Sequence, residues 1–280
     1  MHRTTAQKEG DTYMIKSIKY IFKEHFSNIY RIFCISRYEL ISDVRDTKFG
    51  LLWNFISPAI QVLTYYIVFG LGLKRGDQQG ITYMPWLVVG FAIWWFISPC
   101  ITQGCNAIYA KRNVITKIKF PVSILPTTIC LKEFFNHLFM LVIACMVLFF
   151  YGFYPTLNWL WLLYYMLCAF VFVQCLALTT SVLNMITRDV KKLITSLMRM
   201  LLYMSPVLWS ATYSNPILDT ISMANPIFYI VNGYRESIFF GKTPFDNPMY
   251  TLYFWGVMLV LFVLGSTLMY KFKNKFIDLI

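Results

Sequence analysis

FGLLWNFISPAIQVLTYYIVFGLGL, residues 49–73, contains no charged side chain. At 1.5 Å per residue a helix of this length outreaches the roughly 30 Å hydrocarbon core of a bilayer, so the stretch reads as a membrane span. Working outward, comparable runs occupy residues 81–110, 134–153, 159–186 (broken only by Gln174 and Asn184) and 249–270. A shorter run, 193–209, contains Arg199. Spans are expected at about 49–73, 81–108, 130–153, 159–186, 193–212 and 249–270. The fold class is therefore an all-α integral membrane protein with six transmembrane helices. The 280 residues are 58% hydrophobic, 19% aromatic and only 14% charged, where a soluble domain carries about 25% charge. Mean hydropathy is +0.56. A soluble enzyme, a nucleic-acid-binding module and a disordered chain are excluded.

The 25 Lys and Arg outnumber 13 Asp and Glu, and their positions set the topology. Nineteen fall before residue 49, between the second and third spans, between the fourth and fifth, or after the last. The opposite connections hold Lys74, Arg75, Arg235 and Lys242. Because Lys and Arg collect in cytoplasmic loops, both termini are expected in the cytoplasm. The first 48 residues are charged throughout and resemble no signal peptide, so the first span is expected to target the chain itself. Seven cysteines are scattered through apolar runs without metal-ligand spacing and read as packing residues.

Two regions outside the spans carry pattern. In the N-terminal arm (1–48), Ile15, Ile18, Phe22, Phe26, Ile29 and Phe33 repeat at intervals of three and four, with Lys16, Lys19, Lys23 and Arg31 elsewhere. That predicts an amphipathic helix lying in the cytoplasmic interface. Residues 213–248 are too apolar for a solvated loop and are punctuated by Asn215-Pro216, Asn225-Pro226 and Asn247-Pro248. Two short re-entrant helices before the last span are expected, since such backbone is tolerated where protein surrounds it. Residues 49–280 then form one transmembrane domain.

Catalytic motifs are missing. Gly241-Lys242-Thr243 ends like a phosphate-binding loop, but Glu236 stands where its first glycine is needed. Gly70 and Gly72 lack the third glycine of a dinucleotide fingerprint. The three histidines, His2, His25 and His137, are dispersed. Lys132, Glu133 and Arg199 are the charged residues within spans, and no chain of acids suited to a proton-coupled carrier is present.

Specific strings then become informative. TKFGLLWNFISPAIQVLTYYIVFG (47–70), WLVVGFAIWWF (86–96), NAIYAKRNVITKIKFPVSILP (106–126), RDV (188–190), YMSPVLWS (203–210) and ANPIFYIVNGYRESIF (224–239) resemble, in order and spacing, permeases of the polysaccharide-export class of ABC transporters. YELISD (38–43) and QGCNAIYAKRN (103–113) bring the chain closest, within that class, to the teichoic acid translocation permeases of Gram-positive bacteria. O-antigen or capsule export, and a drug- or lipid-exporting permease of the same superfamily, are the alternatives. A membrane enzyme or scaffold of polymer assembly would need carboxylates or a nucleotide site that the sequence lacks.

The resemblance implies a homodimer in the bacterial plasma membrane with two copies of a cytoplasmic ABC ATPase beneath it, moving a lipid-diphosphate-linked glycopolymer outward. The chain itself binds no cofactor, ATP and Mg2+ belonging to the partner ATPase, and neither metal nor nucleic acid is expected. Lys111, Arg112, Asn113, Lys117, Arg188 and Asp189 fall in the stretches that contact the ATPase. Arg45, Lys48, Lys119 and Arg199 are candidates for the substrate head group and inner gate. Trp53, Tyr65, Tyr66, Phe69, Tyr203 and Trp209 are candidate channel-lining aromatics, because rings stack on sugars while permitting sliding. Arg235 and Glu236 are placed together at an outer gate.

Overall fold

The computed structural model describes residues 2–72, 76–117, 120–208 and 216–273, with side chains placed from residue 13 and, in the last stretch, from residue 220. It is all-helical among the described residues. In order these are α1 (His2–Ser27), α2 (Ile29–Ser42), α3 (Gly50–Gly72), α4 (Tyr83–Cys105), α5 (Ile124–Phe150), α6 (Leu157–Ile186), α7 (Asp189–Met204), α8 (Pro216–Ala224), α9 (Pro226–Arg235) and α10 (Pro248–Phe272). Two four-residue helices, Ala107–Ala110 and Arg112–Ile115, join α4 to α5.

Five helices, α3, α4, α5, α6 and α10, are long and apolar enough to cross a membrane. The expected fifth span, 193–212, differs. Its helix, α7, starts earlier, at Asp189, and stops at Met204. Sixteen residues reach about 24 Å, short of the hydrocarbon core. The stop follows from Pro206, because a residue before proline is pushed to extended backbone, and Ser205 has ψ 154°. Residues 205–208 continue the path as buried, non-helical chain. The third span begins at Ile124 rather than 130 and runs through Lys132 and Glu133, which pair with each other at 3.0 Å. Pro126 sits in its first turn, where a missing N–H costs nothing.

α4 is the centre of the bundle, with 78% of its apolar window buried against 6% for α3. Phe91, Ile93, Phe96 and Ile97 of α4 are fully enclosed with Val173 and Ala177 of α6. A side chain at Gly104 would come within 2.7 Å of the Ala177 Cβ, and such small residues let membrane helices approach closely. α3 changes winding along its length, from a 3₁₀ turn through α-helix to a π-helix at Tyr66–Gly72.

The N-terminal arm is two helices, broken at Asn28, rather than one. It packs on the bundle mainly through a face other than its apolar stripe. Ser17, Ile21, Ile32 and Ser36 are buried, whereas Ile15, Phe22, Phe26, Ile29 and Phe33 of the predicted stripe point outward. The arm rests on the end of the bundle that carries the last turns of α10, with Tyr13 and Tyr20 edge-on to Tyr270. Polar contacts fix it. His25 Nδ1 donates to the Ile21 carbonyl at 2.8 Å, an acceptor only, so Nε2 accepts from the Thr127 hydroxyl at 2.7 Å. Gln174 donates to the same Thr127 oxygen, tying α1, α5 and α6 together. Burial lowers the His25 pKa below its ordinary value and keeps the ring neutral. Ser36 donates to the Thr128 carbonyl, and Ser123 donates to Glu24. This end of the molecule also gathers Lys111, Arg112, Arg188, Lys191 and Lys192 and is called the basic end below.

Candidate functional site

At the basic end the link after α4 and the start of α7 meet on one aromatic ring. The Arg112 guanidinium lies 4.5 Å, and that of Arg188 4.7 Å, from the centre of Tyr109. Such cation–π contacts are worth about 0.5–2 kcal/mol each, and two on one ring tie the short helices to the start of α7. Asn184 Nδ2 donates to Asn106 Oδ1 at 3.4 Å just behind it. In front opens a cleft of about 460 Å³ lined by Arg188, Lys191, Lys192 and Arg199 together with Tyr109 and Asn106. Arg188, Lys192, Thr195 and Arg199 follow each other at intervals of three and four, so one stripe of α7 supplies the cations. A second cleft of about 320 Å³, sharing Asn106, Lys191 and Thr195, extends beside Lys111.

The balance of charge here is strongly positive. Asp189 is paired with Lys192 at 3.5 Å, but both side chains are more than four-fifths exposed, so water weakens the pair. Lys111 bonds Glu39 of α2 at 2.7 Å. Arginine and lysine grouped in this way suit phosphate or carboxylate oxygens. Asn113 and Lys117 are exposed, Arg45 lies over Tyr38 at 5.3 Å, and neither these nor Lys48 line the two clefts. Lys119 lies outside the described residues.

Deeper in the bundle, Lys132 Nζ sits 3.0 Å from each of Asp43 Oδ2, Gln103 Oε1 and Glu133 Oε1. Asn136 Nδ2 donates to the other oxygen of Glu133. This network joins the arm to α4 and α5 and explains how a Lys–Glu pair is tolerated inside a span.

The opposite, far end is organised by Arg235. Its guanidinium is buried and donates to the carbonyls of Pro206, Trp86 (3.1 Å) and Val207 (2.7 Å), with Trp86 stacked beneath it at 4.0 Å. Tyr83 adds a donor to Leu208 O at 3.3 Å. The non-helical segment after α7 therefore has its carbonyls satisfied by side chains, as backbone away from water requires. Gly90 makes room for the clamp, since a Cβ there would lie 2.5 Å from both Arg235 Nη2 and Val207 O. Gly90→Ala is expected to destabilise by about 1–3 kcal/mol, read as a lower melting temperature of the purified chain. Next door, His137 of α5 bonds Ala92 O and the Tyr234 hydroxyl, both at 3.0 Å. α9 itself starts at a proline with Asn225 Oδ1 accepting from Ile227 N.

The two residues expected at an outer gate take different surroundings: Arg235 turns into the bundle, and Glu236 lies nearer the surface, 3.5 Å from Lys242. The expected channel aromatics divide as well. Trp53 and Tyr203 are exposed, while Tyr65, Tyr66 and Phe69 are half-buried, Tyr65 lying 4.3 Å from the Phe91 ring. Trp209 lies outside the described residues. Tyr109, His137, Trp86 and Gly90 escaped sequence reading, since an aromatic, a histidine or a glycine in an apolar run has many commoner explanations.

The profile of the ABC-2 type transporter family matches residues 30–239, three-quarters of the chain. An O-antigen export system permease protein, RfbA, from Myxococcus xanthus is 24% identical over 243 residues, covering 86% of this chain and 91% of the relative. A protein of the same name from Klebsiella pneumoniae is 23% identical over 237 residues, covering 84% and 89%. The inner membrane transport permease YadH of Escherichia coli K12 is 24% identical over 228 residues, covering 77% and 86%. The chain thus belongs to the ABC-2 type transporter family and is a multi-pass permease of the bacterial inner, or plasma, membrane.

Proposed function

We propose that this chain is the membrane subunit of an ATP-driven exporter of lipid-linked polysaccharide of the O-antigen type. The observation that carries the reading is similarity to O-antigen export permeases over 84–86% of the chain. A wall teichoic acid cargo is the second reading, favoured by the strings at residues 38–43 and 103–113. Hydrolysis of ATP is assigned to a separate cytoplasmic subunit docked at the basic end, which the charge asymmetry places in the cytoplasm.

In this reading two copies of the chain face each other through α3 and α7. Val62 is the one buried residue of α3 within one chain, and about half of the helix is exposed. Its outer side carries Ser57, Gln61 and Thr64, polar groups at helical spacing in a membrane span, beside the exposed Trp53. α7 and the segment 205–208 together make a sixth crossing, and α8 and α9 form the re-entrant pair. Closure of the ATPase pushes on the short helices and the start of α7. The shared Tyr109 ring makes them move together, and α7 carries the motion to the clamp at Arg235. Coupling of this kind requires the two permease states to bind the ATPase states differently. The cations of the inner cleft hold the diphosphate at entry.

Co-expression of this chain with the cytoplasmic ATPase subunits of its host tests the reading. A stable complex whose ATP hydrolysis responds to lipid-linked polysaccharide is expected. Isolation of the folded chain with no ATPase attached, from cells producing all of them, contradicts it. Within the complex, the combined change Arg188→Gln, Lys191→Gln and Lys192→Gln is expected to cut export about tenfold or more. Stability should fall by no more than about 2 kcal/mol, the worth of the Arg188 contact with Tyr109, because these side chains are otherwise exposed. Unchanged export would remove the inner cleft from the mechanism.

A further inference from the structure

At the far end, apart from α3 and the clamp, lies a cleft of about 1060 Å³ between α9, the turn after it and the start of α10. That is just above the roughly 300–1,000 Å³ usual for ligand sites. One wall is tyrosine. Tyr229 meets Tyr250 edge to face at 5.0 Å, and Tyr250 stacks on Tyr253 at 6.2 Å with rings nearly parallel. Tyr253 is held by a bond from its hydroxyl to Ala224 O at 2.8 Å, with its side chain exposed. The Tyr250 hydroxyl is buried and has no hydrogen-bond partner among the described residues.

The facing wall is polar and mixed in sign. Asn232, Glu236 and Lys242 line it, the last two 3.5 Å apart. The rim is ordered by its own bonds, Lys242 N to Glu236 O at 3.1 Å, Thr243 N to Asp246 Oδ2 at 2.6 Å, and Thr251 Oγ1 to Pro244 O at 2.8 Å. An acyl chain has no use for a carboxylate, an ammonium and an amide on one wall. An anionic ligand would be met by Glu236 and Asp246 as well as Lys242. Hydroxyl groups, which donate and accept at once, suit such a wall, and the apolar C–H faces of a pyranose suit tyrosine rings.

We propose that this cleft is a glycan-binding site at which sugars of the exported polymer are held after leaving the translocation path. Rings rest on Tyr250 and Tyr253, and hydroxyls bond Asn232, Glu236 and Lys242. Capture on the far side opposes backsliding between ATP cycles and gives the transport a direction. The inference rests on the polysaccharide reading above and adds a second sugar contact outside the channel.

The test uses the full chain with its ATPase in lipid nanodiscs, with isomaltotriose and triacetylchitotriose as probes. Affinity is measured by calorimetry and contact by saturation-transfer NMR. At least one probe is expected to bind, and Glu236→Gln and Asn232→Ala are each expected to weaken it about fivefold or more with an unchanged melting temperature. Tyr253→Ala should remove the saturation transfer to the sugar ring protons. Absence of binding by the unaltered protein, or equal binding by the variants, overturns the site. Polymer transport is assayed on the same samples. A protein that exports polysaccharide normally but binds neither probe defeats the cleft alone, whereas one that binds but exports no polysaccharide keeps the cleft and defeats the transport reading.

Discussion

Arg235→Met is expected to abolish export and to lower the melting temperature of the purified chain by about 5 °C or more. Three carbonyls, those of Trp86, Pro206 and Val207, lose a charged donor in a buried place. Each orphaned group costs about 1–3 kcal/mol, so the sum is about 3 kcal/mol or more, a large share of the 5–15 kcal/mol typical of a folded domain. Methionine fills much of the volume, which leaves the lost donors as the cause. Arg235→Lys keeps the charge but not the planar fork, so three carbonyls that two guanidinium nitrogens now reach must converge on a single nitrogen. It should fall between the two. A methionine variant with normal export and normal melting would mean that the non-helical segment is held by something other than this clamp.

Lys132→Met is the second change with a large expected effect, about 2–4 kcal/mol. It leaves Glu133 buried with only Asn136 as a donor and removes the bonds to Asp43 and Gln103. Breaking a buried pair by deleting one partner is costly, while replacing both partners with apolar residues is often neutral. The double variant Lys132→Met with Glu133→Leu should therefore recover at least half of the lost stability. The contact between the arm and the bundle should stay weakened in both, read as faster proteolysis before residue 49. Equal instability of single and double variants would show that the network acts through something other than an unpaired carboxylate.

Much of the fold was legible because bilayer physics writes itself into long uncharged runs. Residues 49–73, 159–186 and 249–270 were located to within a few positions. The expected start of α5 at 130 falls short of Ile124 because Pro126 reads as a breaker along the chain, although a proline in a first turn costs no hydrogen bond. α7 was drawn too far downstream for the opposite reason. Its basic first turns looked like a loop, and the apolar residues after Met204 looked like helix, although Pro206 ends it. The apolar stripe of the arm is legible in the sequence, and most of it faces away from the bundle. That arrangement fits an interface helix whose apolar side rests among lipid chains.

The site was less legible than the fold. Arg188, expected at the ATPase contact, and Arg199, expected at the inner gate, line one and the same cleft. Nothing in the sequence said that Arg112 and Arg188 would share the Tyr109 ring, since residues 79 positions apart carry no mutual signature. Arg235 was singled out, but its partners are backbone carbonyls, which look alike in every sequence. Glu236, its neighbour in sequence, bonds Lys242 instead, a partner that neither residue type announces.

The central claim, that this chain passes polysaccharide across the membrane at the expense of a partner's ATP, is tested most directly in proteoliposomes. They would contain the chain with its co-purified ATPase and lipid-linked O-antigen-type polymer, with labelling of polymer on the trans side as the readout. Polymer reaching that side only with ATP, and not with a hydrolysis-deficient ATPase, is the predicted result. An ATPase that is bound and active while no polymer crosses, O-antigen or teichoic, would contradict it.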